Sequence, residues 1–169
     1  YTRDYFRIYG LKTVVFRQSC VYGDHQFGIE DQGWVAWFVI ASILKREINI
    51  YGNGKQTRDI LWIEDLVDAY IASYENQNNC AGEVFNIGGG NNNSLSLNEL
   101  VQMLKELDLI KKNPSHTDWR PGDQEIYISN TQKFENATDW KAKTSSEKGV
   151  LKLIDWADKN LDLISHILK

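Results

Sequence analysis

Two arginines stand in glycine-containing turns, where a side chain could bind phosphate oxygens. Arg58 follows Gly52-Asn53-Gly54-Lys55 on a segment that reads as a returning strand, and Arg120 opens Arg120-Pro121-Gly122-Asp123. A guanidinium presents a planar fork of N–H donors that suits phosphate. Glycine permits a sharp reversal and proline presets a turn, so the backbone that carries each arginine has a defined conformation. The turns predict a local anion site; the alternative is a surface Arg–Asp pair at each, which is worth little.

Composition excludes several other kinds of site. The net charge of -4 argues against a general surface for nucleic acid or anionic membrane. Cys20 and Cys80 lie far apart without a Cys-x-x-Cys pair, so we expect neither zinc nor a disulfide framework, and a reducing cytoplasm fits. No apolar run reaches the length of a membrane span. Gly88-Gly89-Gly90 matches no phosphate-loop motif and predicts a tight turn beside a ligand or a neighbouring backbone.

Strands must carry these sites. The apolar run Thr13–Phe16, after a helix ending at Gly10, predicts a strand buried on both faces of a parallel sheet. Gln18, Ser19 and Cys20 follow it, at the end of the strand where ligands of open α/β sheets bind. The segment before the Gly52 turn alternates polar and apolar residues, so we predict that it pairs with the Arg58 segment as a small antiparallel unit.

Helix signals occupy the intervening segments. Asp31-Gln32-Gly33-Trp34 leads into an apolar helix whose tryptophans suit the core, while the alternative is that Gln32 and a Trp line a sugar pocket. Glu64 and Asp65 fill the first turn of another helix, favourably for its dipole. Ser96-Leu97-Asn98-Glu99 is a capping box. Alternating strands and helices predict an α/β fold.

The order of these motifs resembles the NAD-dependent epimerases and dehydratases of nucleotide sugars, which are extended short-chain dehydrogenase/reductases. The resemblance covers all 169 residues, but only as the C-terminal portion of such an enzyme. Asp31-Gln32-Gly33-Trp34 with Trp37-Phe38 is similar to one subgroup, the CDP-paratose 2-epimerases, also called CDP-tyvelose epimerases. The segments that carry the resemblance are Phe16–Gly23, Asp31–Phe38, Gly52–Asp59 and Arg120–Asp123.

The resemblance implies two sets of binding residues. Gln18 and Ser19 would abut the cofactor NAD. The implied contacts to a CDP-sugar or another nucleotide sugar are Cys20, Gln32, Ile50, Tyr51, Arg58, Arg120 and Asp123. In this scheme both arginines bind the diphosphate, Asp123 reaches the ribose and the segment before the turn wraps the base. Cys20 stands where the family commonly has Asn, and a thiol is a poor hydrogen-bonding replacement.

The resemblance also implies an architecture. We expect the C-terminal part of a Rossmann-type parallel sheet plus a small α/β substrate-binding domain. Residues 1–23 would end the Rossmann domain, and residues 24–169 would be mainly the nucleotide-sugar-binding domain, with returning Rossmann elements near 60–90. The intact protein would be a homodimer or homotetramer, and the family dimerises through two helices, one of them the helix that begins this chain.

The expected function is that of a nucleotide-sugar 2-epimerase with tightly bound NAD, of which this chain is the substrate-binding half. The catalytic Tyr-x-x-x-Lys is expected upstream of Tyr1, so no catalytic residue is assigned here and the isolated chain should be inactive. Tyr5 is followed at the fourth position by Tyr9, not Lys. The alternatives are a dehydratase, decarboxylase or 4-epimerase of another nucleotide sugar, or a non-catalytic nucleotide-sugar-binding module.

Overall fold

Strands and helices alternate along residues 1–168, the part of the chain that the computed structural model describes. The helices are α1 (Thr2–Tyr9), α2 (Trp34–Ile43), α3 (Ile63–Glu75), α4 (Gln77–Cys80), α5 (Leu97–Glu106), α6 (Gln132–Thr138), α7 (Ser146–Lys159) and α8 (Leu161–Ile167). The strands are β1 (Val15–Gln18), β2 (Cys20–Tyr22), β3 (Asn49–Tyr51), β4 (Thr57–Trp62), β5 (Val84–Ile87), β6 (Ser94–Ser96), β7 (Ser115–Thr117) and β8 (Ile126–Tyr127).

Strand β4 organises the sheet that carries Arg58. It pairs in parallel with β2, where Cys20 lies opposite Ile60, and in parallel with β8. It also pairs antiparallel with β6, where Arg58 lies opposite Leu95. Because β4 has neighbours on both edges, its side chains are held in a defined register. The parallel pairs and their connecting helices confirm the α/β prediction.

Strand β1 pairs in parallel with β5 along Val15–Gln18. The prediction that Thr13–Phe16 is buried on both faces is wrong, since all four of these residues are only half-buried. Among the described residues, β5 is the strand that pairs with β1, so one edge of β1 carries no ladder. Residues 1–168 therefore cover only part of the apolar surface of this strand.

The predicted antiparallel unit at the Gly52 turn is also wrong. Strand β3 pairs in parallel with β7, with Ile50 opposite His116, while β4 pairs elsewhere. In place of backbone hydrogen bonds, one side-chain hydrogen bond spans the turn: Gln56 Nε2 donates to the Tyr51 carbonyl over 2.6 Å. The turn still reverses the chain, but its two arms enter different sheets.

Two hydrophobic clusters form the core. The larger one packs α2, α5 and α7 together and includes Phe38, Leu100 and Leu153. The second lies around Phe85 and Phe134. Strand β4 contributes to both, since successive side chains point to opposite faces: Ile60 and Trp62 enter the first cluster and Leu61 enters the second.

The predicted division at residue 23 stays a prediction. The second cluster gathers Val14, Phe16 and Val21 with elements from 61 to 87, as the division would have it, but Phe134 and Trp140 join them. Within residues 1–168, no helix is both long and apolar enough to cross a membrane.

Candidate functional site

A pocket of about 390 Å³ lies where the start of α2, the β3–β4 turn and the Arg120 turn meet. Six of the seven predicted substrate contacts line it, and Ile50 does not. The lining residues are Cys20, Glu30, Asp31, Gln32, Gly33, Trp34, Trp37, Phe38, Asn49, Tyr51, Gln56, Arg58, Leu97, Arg120, Pro121, Gly122 and Asp123. The fold thus brings together residues from five separate stretches of the chain.

Arg58 projects from β4 into this pocket. Its Nη2 lies 2.9 Å from Asp123 Oδ1, and its Nη1 donates to the Thr57 carbonyl over 2.9 Å. The guanidinium is only 17% exposed, so the protein holds it firmly. Asp123 is therefore the partner of Arg58, so the alternative of a pair between Arg120 and the Asp123 of its own turn is not the one formed. The ion pair crosses the pocket between two turns.

Arg120 is held by a different set of contacts. Its guanidinium carbon lies 3.8 Å from the centroid of the Tyr51 ring, which is a cation–π distance. Its Nη2 lies 2.9 Å from Asp31 Oδ1. The contact with Tyr51 raises the pKa of Arg120 above its ordinary value, so the side chain stays charged. Asp31 is 83% exposed and free to leave this pairing for solvent.

Close packing of the two turns explains why both arginines line one pocket. Gly52 has φ +81° and supports the Trp119 indole so closely that a Cβ on residue 52 would lie 2.5 Å from the ring. The Gly52 N–H donates to the Thr117 carbonyl over 2.9 Å. Trp119 precedes Arg120 directly, so this packing fixes where Arg120 begins. An alanine at position 52 would clash with the ring and strain the backbone.

One end of the pocket is apolar. Cys20, Trp34, Trp37, Phe38 and Leu97 line it. Burial raises the pKa of the Cys20 thiol, so this residue contributes a small uncharged side chain that is only a weak hydrogen-bond donor. The Trp34 indole lies beside the Cys20 thiol and lowers its pKa, against the larger effect of burial. Trp37 Nε1 is buried and makes no hydrogen bond within the described part of the chain.

The polar end of the pocket is the part of its wall formed by Glu30, Asn49 and Tyr51, and it was only partly predicted. Tyr51 Oη donates to Glu30 Oε1 over 3.0 Å, and Asn49 Nδ2 approaches the same oxygen at 3.4 Å. Glu30 and Asn49 were not identified from the sequence. Strand periodicity could have found Asn49, because residues two apart on a strand face the same side.

The same periodicity corrects the prediction for Ile50. Ile50 is only 1% exposed and lies in the hydrophobic core, so its side chain does not reach the pocket. Glu30 carries no such periodic signal, since it lies in a turn closed by Ile29 and Gln32, whose backbones exchange hydrogen bonds of 2.9 and 3.0 Å. That turn also places Gln32 on the pocket wall.

The two predicted cofactor contacts lie outside this pocket, at the end of β1. Gln18 is exposed, and its Nε2 donates to Tyr70 Oη over 2.7 Å. The Ser19 hydroxyl donates to the Asp59 carbonyl over 2.6 Å and contacts Asp59 Oδ1, while the Ser19 N–H donates to the Ile87 carbonyl. Ser19 therefore ties β1 to β4 and β5, and Gln18 keeps an amide at the surface.

Two other kinds of site find no support. Tyr51 and Lys55 have the Tyr-x-x-x-Lys spacing, but Gly52 and Gly54 have positive φ between them, so the two residues do not share a helix face. This pair is no substitute for the helical pair expected upstream. Residues 1–168 contain no group of three or more His, Cys, Asp or Glu side chains placed to hold a metal ion.

Charges at the pocket are nearly balanced. Arg58 and Arg120 face carboxylates from Glu30, Asp31 and Asp123. An anion must therefore displace carboxylates from the guanidinium forks rather than enter a bare positive site. A diphosphate can replace these carboxylates, since it offers more acceptor oxygens and more negative charge than a single carboxylate does.

Comparison with known proteins identifies the family of this chain. Residues 1–88 match the profile of the NAD dependent epimerase/dehydratase family. The CDP-paratose 2-epimerase of Salmonella typhi is 44% identical over 161 residues, which cover 92% of this chain and 48% of that enzyme. The chain thus spans about half the length of the curated relatives it matches.

Solved structures show the same fold. The UDP-glucose 4-epimerase of Thermotoga maritima, crystallised with UDP-glucose, is 32% identical with a TM-score of 0.82, over 94% of this chain and 50% of that one. The dTDP-glucose 4,6-dehydratase of Bacillus anthracis, in complex with NAD, is 28% identical with a TM-score of 0.78, over 95% and 49%. With the family profile covering more than half of its residues, the chain belongs to the NAD-dependent epimerase/dehydratase family.

Proposed function

We propose that this chain forms the nucleotide-sugar-binding half of an NAD-dependent 2-epimerase of the CDP-paratose (CDP-tyvelose) type. One observation carries the proposal: Arg58 and Arg120, from two separate turns, line one pocket that has an apolar end and a polar end. A nucleotide sugar has the matching sequence of parts, with two phosphates between a sugar and a base. The 44% identity to a CDP-paratose 2-epimerase supports the choice of reaction.

The pocket accounts for how such a ligand would be held. The diphosphate takes the places that Asp123 and Asp31 occupy against the two guanidinium groups, and Asp123 turns to the ribose. The sugar enters the end lined by Cys20 and the tryptophans, where apolar contacts suit a deoxyhexose, which lacks some of the hydroxyl groups of an ordinary hexose. The base lies toward Tyr51 and Asn49. This assignment uses five of the six lining residues predicted from the sequence, namely Cys20, Tyr51, Arg58, Arg120 and Asp123.

NAD fits the donor set at the end of β1. Gln18 offers an exposed amide that can both donate and accept, at the carboxyl end of two parallel strands. Ser19 supports this position, since its hydroxyl donates to the Asp59 carbonyl and its N–H donates to the Ile87 carbonyl. When bound, NAD accepts and returns the hydride of a transient oxidation, while the protein supplies placement and proton transfer.

A second function is favoured by the structural comparisons. The fold matches a UDP-glucose 4-epimerase and a dTDP-glucose 4,6-dehydratase with TM-scores of 0.82 and 0.78. A 4-epimerase or dehydratase would use the same arginines but a different base and sugar. Comparing the binding of CDP, UDP and dTDP to the complete protein separates these enzymes, since the preferred base follows the substrate.

The first experiment is to read the open reading frame upstream of Tyr1 and to express the complete protein. In that protein we expect Arg58→Ala and Arg120→Ala each to weaken CDP binding by about 1.5–3 kcal/mol in calorimetry, as charge-assisted bonds do. Arg7→Ala is the matched control, because Arg7 pairs with Asp4 on α1 at an exposed surface. Unchanged affinity in both pocket variants would contradict the site.

A frame that opens at or near Tyr1 would favour a non-catalytic binding module instead. Residues 1–169 alone should show no epimerase activity with CDP-paratose, since the expected Tyr-x-x-x-Lys lies upstream. Turnover by this isolated chain would contradict the assignment of catalysis to the other half.

A further inference from the structure

We propose that Glu30 selects the base of the nucleotide by accepting a hydrogen bond from the exocyclic amine of cytosine. This inference rests on the proposed function and specifies its substrate class. The family resemblance had pointed to the segment before the Gly52 turn, with Ile50 and Tyr51, whereas the structure points to an acidic side chain from a separate loop.

Glu30 is placed at the polar end of the pocket by several contacts. Its turn is closed by the backbone bonds of Ile29 and Gln32. Oε1 accepts from Tyr51 Oη at 3.0 Å and from Asn49 Nδ2 at 3.4 Å. Within residues 1–168, Oε2 has no hydrogen-bond donor, and the side chain is exposed on the pocket wall. A ligand at this end therefore meets a carboxylate oxygen with unused acceptor capacity.

Asn49 supplies a donor beside this acceptor. Its Oδ1 accepts from the Ser115 hydroxyl on β7, so its amide nitrogen is the group turned toward Glu30. A primary amide nitrogen has two N–H groups, and the contact with Glu30 uses one of them. The polar end thus presents a carboxylate acceptor next to an amide donor, both anchored by neighbouring residues.

When the substituent on ring carbon C4 of the base faces Glu30 and ring atom N3 faces Asn49, this order matches cytosine. Cytosine presents an amine donor next to the ring-nitrogen acceptor N3, whereas uracil and thymine place the carbonyl acceptor O4 where cytosine has its amine. A carboxylate accepts from the amine of cytosine but repels a carbonyl oxygen, so it discriminates by repulsion as well as attraction. Tyr51, which Glu30 holds, also stacks on Arg120, so the base-reading group adjoins the phosphate-binding group.

The test is calorimetry on the complete protein with CDP, UDP and dTDP, for the wild type, Glu30→Gln and Glu47→Gln. Glutamine keeps the size of the side chain and an acceptor for Tyr51, but its amide can donate to a carbonyl. We expect the wild type to bind CDP about tenfold or more tightly than UDP or dTDP, as one well-formed base contact allows. Glu30→Gln should reduce that preference to below about threefold, because CDP loses an acceptor and UDP gains a donor.

Glu47→Gln is the matched control, since Glu47 is an exposed carboxylate two residues before Asn49 and outside the pocket. It should keep the wild-type preference. Equal weakening of all three nucleotides by Glu30→Gln, or a wild type without preference for CDP, would overturn the role of Glu30 and leave the nucleotide site intact. Failure of every nucleoside diphosphate to bind would instead overturn the proposed function, and this inference with it.

Discussion

At the scale of single residues, the two arginines have the same charge but different surroundings. Arg58 is mostly buried and pairs with Asp123, whereas Arg120 stacks on Tyr51 and pairs with the exposed Asp31. A planar guanidinium can stack and donate in pairs, while a lysine ammonium is a point charge. Arg120 therefore depends on its shape as well as its charge.

From this difference we expect Arg120→Lys to weaken CDP binding by about 1–2 kcal/mol even though the charge is kept, because both the stacking on Tyr51 and the planar fork are lost. Calorimetry on the complete protein measures the effect, with Arg7→Lys as the control on the surface of α1. Wild-type affinity in Arg120→Lys would show that charge alone suffices at this position.

The surroundings of Asp59 differ from the sequence-based interpretation of this residue. It follows Arg58 directly, and a surface Arg–Asp pair was the alternative for this segment. Asp59 is instead fully buried; one carboxylate oxygen contacts the Ser19 hydroxyl and the other accepts from the Gly90 N–H at 3.1 Å. The side chain joins β1, β4 and the glycine turn after β5. Its role is to hold the strand that presents Arg58.

At the scale of elements, acidic residues at helix starts divide into two kinds. Glu99 caps its own helix α5: its carboxylate accepts from the Ser96 N–H and hydroxyl, both at 2.7 Å, and Ser96 Oγ accepts from the Glu99 N–H. Asp65, in the first turn of α3, accepts instead from the backbone N–H groups of Lys143 and Thr144. The contacts of Glu99 confirm the predicted capping box, whereas Asp65 anchors a distant loop.

The capping box makes the stability of α5 depend on pH. Hydrogen bonds from the Ser96 side chain and backbone lower the pKa of Glu99 below its ordinary 4.5. A lowered folded-state pKa means that ionised Glu99 stabilises the fold above that ordinary value, and that this contribution is lost as pH falls through the lowered pKa. In urea titrations, the stability difference between the wild type and Glu99→Gln should shrink as pH falls below about 4.5.

Glu106→Gln, in the last turn of the same helix, serves as the control for this measurement. It should not reproduce the pH-dependent difference, because Glu106 bonds to Gln102 and not to a helix N-terminus. A difference between the wild type and Glu99→Gln that stays constant from about pH 6 to pH 3 would contradict the capping contribution.

At the scale of the whole molecule, β4 couples the two hydrophobic clusters. Phe134 is fully buried in the second cluster, with ring centroids 5.1 Å from Phe85, 5.3 Å from Phe16 and 5.5 Å from Trp140. Leu153 is fully buried in the first. Because neighbouring residues of one strand serve both clusters, we expect the described residues to unfold as one cooperative unit.

We therefore expect Phe134→Ala to cost about 3–5 kcal/mol and Leu153→Ala about 2–5 kcal/mol of unfolding free energy, each shifting a single urea transition. Leu151→Ala is the matched control on α7, since Leu151 is 44% exposed and should cost only about 0.5 kcal/mol. Two separated transitions in Phe134→Ala, followed by circular dichroism and tryptophan fluorescence, would show that the clusters fold independently.

The sequence was most informative where a local pattern has a local cause. The stop of α1 at Gly10, with φ +67°, and the capping box of α5 follow from single residues and their neighbours. Arg58 and Arg120 could be proposed as anion-binding residues because glycine and proline fix their turns. Hydrophobic periodicity was less reliable for β1, whose burial depends on which strands and layers lie beside it.

Taken by itself, the sequence determined the family, the α/β alternation and six of the residues that share one pocket. Tertiary structure alone decided which carboxylate pairs with which arginine, that β3 pairs with β7, that Asp59 is buried, and that Glu30 reaches Tyr51 and Asn49. The physical reason is separation along the sequence: turns, caps and periodicity depend on residues a few positions apart. An ion pair between residues 58 and 123, or a hydrogen bond between residues 30 and 51, exists only once packing has closed the loops between them.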